Sequence, residues 1–273
     1  NKKKIIVLTP VYNEEDSLHR YIEVVSDVLF QNKDYNFSIL FIDDGSVDSS
    51  WELICEFSRK EPLLFQGIRL SRNFGSHTAI AAGLEQIENY DAVVILACDL
   101  QDPPETILFF LKKWEQGASI VWGKRQSRDD SPWRIVTSQI FSWLMRRFAM
   151  PKDSKFTTGS FFLIDKKVAF ALSKFNESNR ITFALVAWTG FNQDIVLYDR
   201  RKRQSGSSGW SFSKMLKTMY DALLGFAHFP VRLITYLGLA AFLISVLLTI
   251  YLIISKVMGN PVLGWTGIMI SFL

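Results

Sequence analysis

Two carboxylates, Asp99 and Asp102, follow directly on an apolar run over residues 92–97 and stand just before Pro103-Pro104. The run is short and has no polar alternation, as expected of a central strand buried on both faces. The proline pair stops the strand and can open a helix. A carboxylate just past the C-terminal end of a strand can hold a divalent cation against a phosphate-bearing ligand. Taken alone, Asp99 could equally be a turn residue and Asp102 a helix cap.

Three more strand ends carry polar clusters. Pro10-Val11-Tyr12-Asn13-Glu14-Glu15 follows a strand at residues 5–8. Asp43-Asp44-Gly45-Ser46 follows one at 37–42, and Ser71-Arg72-Asn73-Phe74-Gly75 follows one at 66–70. Helices are expected between them, one with Leu18, Ile22, Val25, Val28 and Leu29 at helical spacing and another over about 76–87. A helix at about 104–115 and a strand at 119–122 come next. Residues 160–164 could be a strand returning to the sheet, and 195–198 another. Strands alternating with helices predict an α/β fold with a mostly parallel, doubly wound sheet. In such a sheet the polar clusters share one rim, which makes isolated turns a poor explanation for all of them. His77, near that rim, could serve a diphosphate or simply be structural.

Several classes are disfavoured. The first strand is not followed by G-x-G-x-x-G, and no G-x-x-x-x-G-K-[ST] occurs, which argues against dinucleotide-binding and P-loop enzymes. Cys55 and Cys98 build neither a disulfide framework nor a zinc site. The 273 residues carry a net charge of +4 with 22 Phe and 8 Trp, an aromatic-rich and mildly basic chain. Asn1-Lys2-Lys3-Lys4 leads straight into a strand, so no signal peptide is expected.

The second half reads toward a membrane. Residues 132–149 and 213–228 are amphipathic, the first with Trp133, Ile140 and Trp143 set among Arg134, Arg146 and Arg147. Such helices can lie in a membrane surface. Residues 233–255 hold no charge and are long enough to cross a hydrocarbon core. A second apolar stretch starts at Gly264 and is expected to open another span. Basic residues before the first span place the preceding domain on the cytoplasmic side. Between them, Asp199-Arg200-Arg201-Lys202-Arg203 leads into a Gly/Ser loop, read as a lid with Arg203 closing on phosphate.

The motifs quoted above, together with Asp99-Leu100-Gln101-Asp102-Pro103-Pro104-Glu105 and Arg203-x-x-Gly206-x-Ser208-x-Trp210, resemble those of inverting family 2 glycosyltransferases with the GT-A fold. The resemblance is narrower still to the membrane-anchored polyprenyl-phosphate glycosyltransferases, and it runs along the whole chain. It implies a nucleotide-sugar donor, UDP-linked, and a polyprenyl phosphate acceptor. Pro10, Tyr12, Glu14, Asp44 and Arg72 would then serve the nucleotide. Asp99 would reach a Mg²⁺ or Mn²⁺ on the diphosphate, with Asp102 as an additional candidate ligand. Arg125, Arg134, Arg203 and Ser208 would hold the acceptor phosphate, and Asp99, Arg125 and Arg203 would form the catalytic set. The expected organisation is a cytoplasmic catalytic domain at 1–210, an amphipathic juxtamembrane helix at 211–231 and a transmembrane region at 232–273. Such a chain would be an integral protein of the cell's inner membrane that could assemble as a homo-oligomer, with no nucleic-acid partner.

The chain departs from that family pattern at two places. Ala97 stands where the first aspartate of D-x-D is usual, and Gly159-Ser160-Phe161-Phe162 replaces G-D-F-R. A site built on one aspartate with phosphates and water, a subgroup with another donor, and a weakened variant each account for this. The alternative function is a degenerate GT-A membrane protein acting as a binding or scaffold subunit. A processive polysaccharide synthase is disfavoured, because no Q-x-x-R-W is present.

Overall fold

Strand β1 (Lys3–Val11) is apolar and buried from Ile5 to Thr9, so it needs cover on both faces and neighbours on both edges. A computed structural model shows how the chain supplies them. It describes residues 2–126, 132–151, 154, 155, 157, 159–175, 181–201, 220–222, 224–226, 229–259 and 264, without the side chains of 132–135, 229 and 230. β2 (Tyr35–Asp43) and β4 (Ala92–Ile95) flank β1 in parallel, with Val11 level with Asp43 and Leu8 level with Ile95. β3 (Phe65–Arg69) extends the sheet beyond β2. On the other side come β6 (Phe162–Asp165), β5 (Ile120–Arg125) and β7 (Gln193–Tyr198), in the order β3-β2-β1-β4-β6-β5-β7. Among the described strands only β6 runs antiparallel to its neighbours.

The helices between β1 and β5 are those expected from the sequence. α1 (Glu15–Leu29) buries Leu18, Tyr21, Val25 and Leu29, three or four residues apart. α2 (Ser50–Lys60) buries Ile54. α3 (Ser76–Glu85) comes close to the sheet at Gly83, where a Cβ would stand 2.7 Å from Leu8 and 2.8 Å from Ile42. α4 (Thr106–Glu115) starts two residues after the proline pair, not on it. Helices α5 (Pro132–Phe148), α6 (Lys166–Ser173) and α7 (Thr182–Trp188) complete this part of the chain.

Two boundaries differ from expectation in ways that matter for the rim. The strand expected at 92–97 ends at Ile95, although Leu96 N–H still donates to Leu8 O at 3.1 Å. β5 runs three residues past 122, because its pairing with β7 continues to Arg125 opposite Tyr198. Arg125 is thereby the last residue of a strand and sits on the rim.

The chain divides into two compact units, Asn1–Phe226 and Ala227–Leu273. Helical residues 220–222 and 224–226 close the first unit, with Ala222 fully buried. In the second, α8 (Phe229–Val257) contains a 27-residue apolar stretch, Val231–Val257, none of it buried. At 1.5 Å per residue that is about 40 Å. It is the one helix among the described residues long and apolar enough to cross a membrane. The expected second span and most of the 213–228 stretch lie outside the described residues.

Candidate active site

The first two polar clusters lock together. Asn13 takes a left-handed conformation, φ 52°, which asparagine tolerates better than most residues. Its N–H donates to Ser46 Oγ (3.0 Å) and its Oδ1 accepts from Val47 N–H (3.0 Å). Glu14 N–H donates to Ser50 Oγ (2.9 Å), and Glu15 N–H to Asp48 Oδ2 (3.2 Å). These bonds hold Tyr12, half exposed, and Glu14 at the end of β1. Sequence reasoning does not single out Asn13, Ser46 and Ser50 as positioning residues. An asparagine suited to a left-handed turn, with two serines after the next strand, is the signal that could have found them.

The Asp43-Asp44 pair divides its work. Asp43, fully buried, lies 3.1 Å from Arg69 Nε and accepts from Ser46 N–H. Asp44 accepts from Phe74 N–H and Gly75 N–H, each at 2.8 Å, one on each carboxylate oxygen. Burial raises the Asp44 pKa, and those two N–H donors offset part of the rise. Asp44 therefore ties the β2 end to the turn that carries Arg72, whose guanidinium lies 4.7 Å from the Phe74 ring centre. Gly45 makes that closeness possible. At φ +72°, a Cβ would stand 2.6 Å from the Arg72 backbone.

Asp99 sits part-buried in a tight turn with Leu100 at φ 51°. Its Oδ1 accepts from Gln101 N–H at 3.1 Å. Cys98, buried behind it, has its thiol pKa pushed well up, first by burial and then by the charges of Glu14 and Asp99. Both carboxylates thus act on one point, which joins the β1 and β4 ends.

Asp102, only 3% exposed, points the other way along the rim. Its Oδ1 accepts from Tyr198 O–H at 2.5 Å and lies 3.5 Å from Arg200 Nε. Burial raises its pKa; Tyr198, Arg200 and Arg125 pull it back. Next to it, Arg201 N–H donates to Gln101 O (2.8 Å) and Arg201 Nη2 to Glu105 Oε1 (2.9 Å). Sequence reasoning does not place Tyr198 and Arg200 at the site. A basic run is usually a solvated face, and nothing local marks Tyr198.

Pro10, Tyr12, Glu14, Asp44, Arg72, Asp99, Asp102 and Arg125 accordingly all lie at the C-terminal ends of β1 to β5. Arg134 is in the first turn of α5, its side chain outside the described set. Arg203 and Ser208 lie outside the described residues.

The departure at 159–162 has a packing reason. Ser160 is exposed, while Phe161 and Phe162 are 1% and 0% exposed. Phe161 packs on Phe110 (4.7 Å between ring centres) and edge-on to Tyr198 (5.4 Å); Phe162 packs on Trp122 (5.1 Å). An arginine at 162 would bring a charge into this aromatic core, at a cost of several kcal/mol unless paired.

The donor chemistry fits a hard cation that arrives with its own phosphate ligands. Among the described residues no group of three or more His, Cys, Asp or Glu could enclose a metal. One carboxylate at Asp99 with diphosphate oxygens and water is the set that Mg²⁺ commonly takes.

His77 lies in the first turn of α3 with its ring edge-on to Phe183 at 5.0 Å. Both ring nitrogens are buried and make no hydrogen bond among the described residues, and burial lowers the pKa to about 4. The unfolded chain therefore binds this proton first as pH falls, and stability should drop between about pH 6.5 and pH 4, by up to about 3 kcal/mol. Melting His77→Leu alongside the parent from pH 7 to pH 4 should show a flatter profile for the variant. Parallel profiles would refute a buried neutral histidine.

A mostly parallel sheet with one antiparallel strand beside its acidic strand end, and a rim gathering carboxylates and guanidiniums, defines the GT-A architecture. The chain belongs to glycosyl transferase family 2, whose model matches residues 6–171, and it is a glycosyltransferase. It is 33% identical to the bactoprenol glucosyl transferase of Shigella phage SfV over 99% of this chain and 87% of that one. It is 34% identical to the uncharacterized glycosyltransferase YkcC of Bacillus subtilis, over 97% and 81%. Among solved structures, glucosyl-3-phosphoglycerate synthase from Mycobacterium tuberculosis, in complex with Mn²⁺, UDP-glucose and phosphoglyceric acid, aligns at TM-score 0.53 and 14% identity, over 81% of this chain and 77% of that one. A mannosyltransferase from Pyrobaculum calidifontis, in complex with GDP-mannose and Mn²⁺, aligns at 0.51 and 16%, over 74% and 59%. At such identities these two speak for the fold alone.

Proposed function

We propose that the chain transfers a sugar, with inversion, from a UDP-linked donor to a polyprenyl phosphate at the cytoplasmic face of a membrane. The observation that carries this reading is the coexistence of the rim with an apolar helix of spanning length, in a chain similar end to end to bactoprenol glucosyl transferases. Pro10, Tyr12, Glu14, Asp44 and Arg72 hold the nucleotide, and Arg125, Arg134, Arg203 and Ser208 the acceptor phosphate. Asp99 would hold Mg²⁺ or Mn²⁺, which when bound neutralises charge on the departing nucleoside diphosphate.

The acceptor chemistry lightens the protein's task. A hydroxyl acceptor needs a general base, whereas a phosphate monoester is already ionised near neutral pH. Its oxygen can attack the anomeric carbon as the bond to the diphosphate breaks. The residues then have to align the two substrates and balance charge. The exposed Val136, Ile140 and Trp143 on α5, four and three residues apart, support a helix resting on the headgroup layer.

The test is transfer from radiolabelled UDP-glucose and UDP-N-acetylglucosamine to undecaprenyl phosphate in liposomes, with and without Mn²⁺. Metal-dependent formation of a lipid-linked sugar is the expected result. Transfer to a non-lipid hydroxyl acceptor, with none to the lipid, would overturn the reading.

A further inference from the structure

Arg200 and Asp102 are unassigned by the proposed mechanism, yet they form the most densely tied part of the rim. In the sheet, β4 and β7 are separated by β6 and β5, so no ladder connects their ends. The connection is made over the rim. Tyr198 O–H reaches Asp102, Arg200 Nε lies beside the same carboxylate, and Arg201 N–H closes on Gln101 O. The loop bearing Asp99 is thereby fixed to the exit of β7.

The side chain of Asp102 is 5% exposed, and both Arg125 and Arg200 act on it electrostatically. Two guanidiniums thus face one buried carboxylate, with Asp99 the other negative charge that acts on it. Arg125 acts on the Tyr198 hydroxyl as well, so all four side chains share one polar cluster. Arg200 Nε is buried and makes no hydrogen bond among the described residues, although the side chain as a whole is 30% exposed. A guanidinium offers five N–H donors, and one carboxylate oxygen shared with a tyrosine uses few of them. The remaining donors, in a planar fork, suit an anion that offers two oxygens at once, such as a phosphate.

We propose that Arg200 pairs with Arg125 as a further guanidinium for the acceptor phosphate, and that Asp102, tethered by Tyr198, is their positioning residue and not a metal ligand. This rests on the reading of the acceptor as a phosphate monoester. Asp102 has three functions here. It fixes the two side chains in one orientation, limits their mutual repulsion, and couples them to the Asp99 turn, so that donor and acceptor halves of the site keep register. An arginine pair without such a counter-ion would splay apart between substrates.

The experiment uses the full chain in detergent with farnesyl phosphate as a soluble acceptor. The readouts are acceptor KM, kcat, and UDP affinity by calorimetry with and without Mn²⁺. Arg200→Ala should raise acceptor KM about tenfold or more, in keeping with a lost charged hydrogen bond, and leave UDP affinity within about twofold. Arg200→Lys should recover part of the loss by restoring charge without the fork. Tyr198→Phe should raise acceptor KM several-fold while lowering the melting temperature by only a few degrees. Asp102→Asn should raise acceptor KM while Mn²⁺-dependent UDP binding persists. Glu105→Gln, which loosens only an exposed ion pair on the same segment, should change none of these.

Loss of Mn²⁺-dependent UDP binding in Asp102→Asn would overturn the positioning role and make Asp102 a ligand. An unchanged acceptor KM in Arg200→Ala would remove Arg200 from the acceptor site. If the parent protein transfers nothing to farnesyl or undecaprenyl phosphate, the acceptor reading fails and the arginine pair falls with it. Parent turnover with unaffected variants defeats the pair alone.

Discussion

Asp99→Asn should lower turnover by about a thousandfold or more, the scale of removing a charge that stabilises a developing anion. The fold should survive, because an asparagine amide oxygen can still accept from Gln101 N–H as Asp99 Oδ1 does. What is lost is the negative charge, and with it the cation's protein anchor. Calorimetry should show UDP binding that no longer responds to Mn²⁺, and the melting temperature should stay within a few degrees. Turnover at the parent rate would remove Asp99 from the mechanism. The reciprocal change, Ala97→Asp, restores a second carboxylate on the same turn. A large gain in rate would identify the chain as a weakened variant; no gain would identify a site adapted to one aspartate.

Ending the chain at Phe226 should separate lipid access from chemistry. All seven described strands and every described rim residue lie in the unit Asn1–Phe226, so the shortened protein should fold and bind UDP with parent affinity. Its activity on undecaprenyl phosphate in bilayers should fall about a hundredfold, and that on farnesyl phosphate only a few-fold. The reason is the acceptor's tail. Drawing a prenyl chain from hydrocarbon into water costs about 0.8 kcal/mol per CH₂, so a site not held at the bilayer meets few phosphates. The quantity to measure is the long-to-short activity ratio with and without residues 227–273. An unchanged ratio would assign those residues to localisation or assembly only.

Much of this site is legible in the amino-acid sequence, because it is written locally. A buried parallel strand is a short unbroken apolar run, and its end is marked by the first polar residues. Four such ends give Tyr12 and Glu14, Asp43 and Asp44, Arg72, and Asp99 their common rim. The α8 segment is legible for a similar reason: an uncharged stretch of spanning length is a property of neighbouring residues alone.

Other features depend on residues far apart in the chain. An apolar run reports that a strand is buried and says nothing of its partners. Nothing in residues 160–165 announces that β6 inserts antiparallel between β4 and β5, and that insertion is what makes 162 a core position instead of a rim position. By its sequence Asp44 is a free carboxylate; in the fold its oxygens are held by Phe74 and Gly75, about thirty residues on. Arg200 reads as one more charge in a basic run. Its pairing with Asp102, like the bond from Tyr198 to that carboxylate 96 residues away, exists only because the sheet brings the ends of β4 and β7 to the same edge. Periodicity is set by each element's own exposure to solvent, whereas contacts between loops are set by the order and direction of strands, which many sequences with the same local pattern could arrange differently.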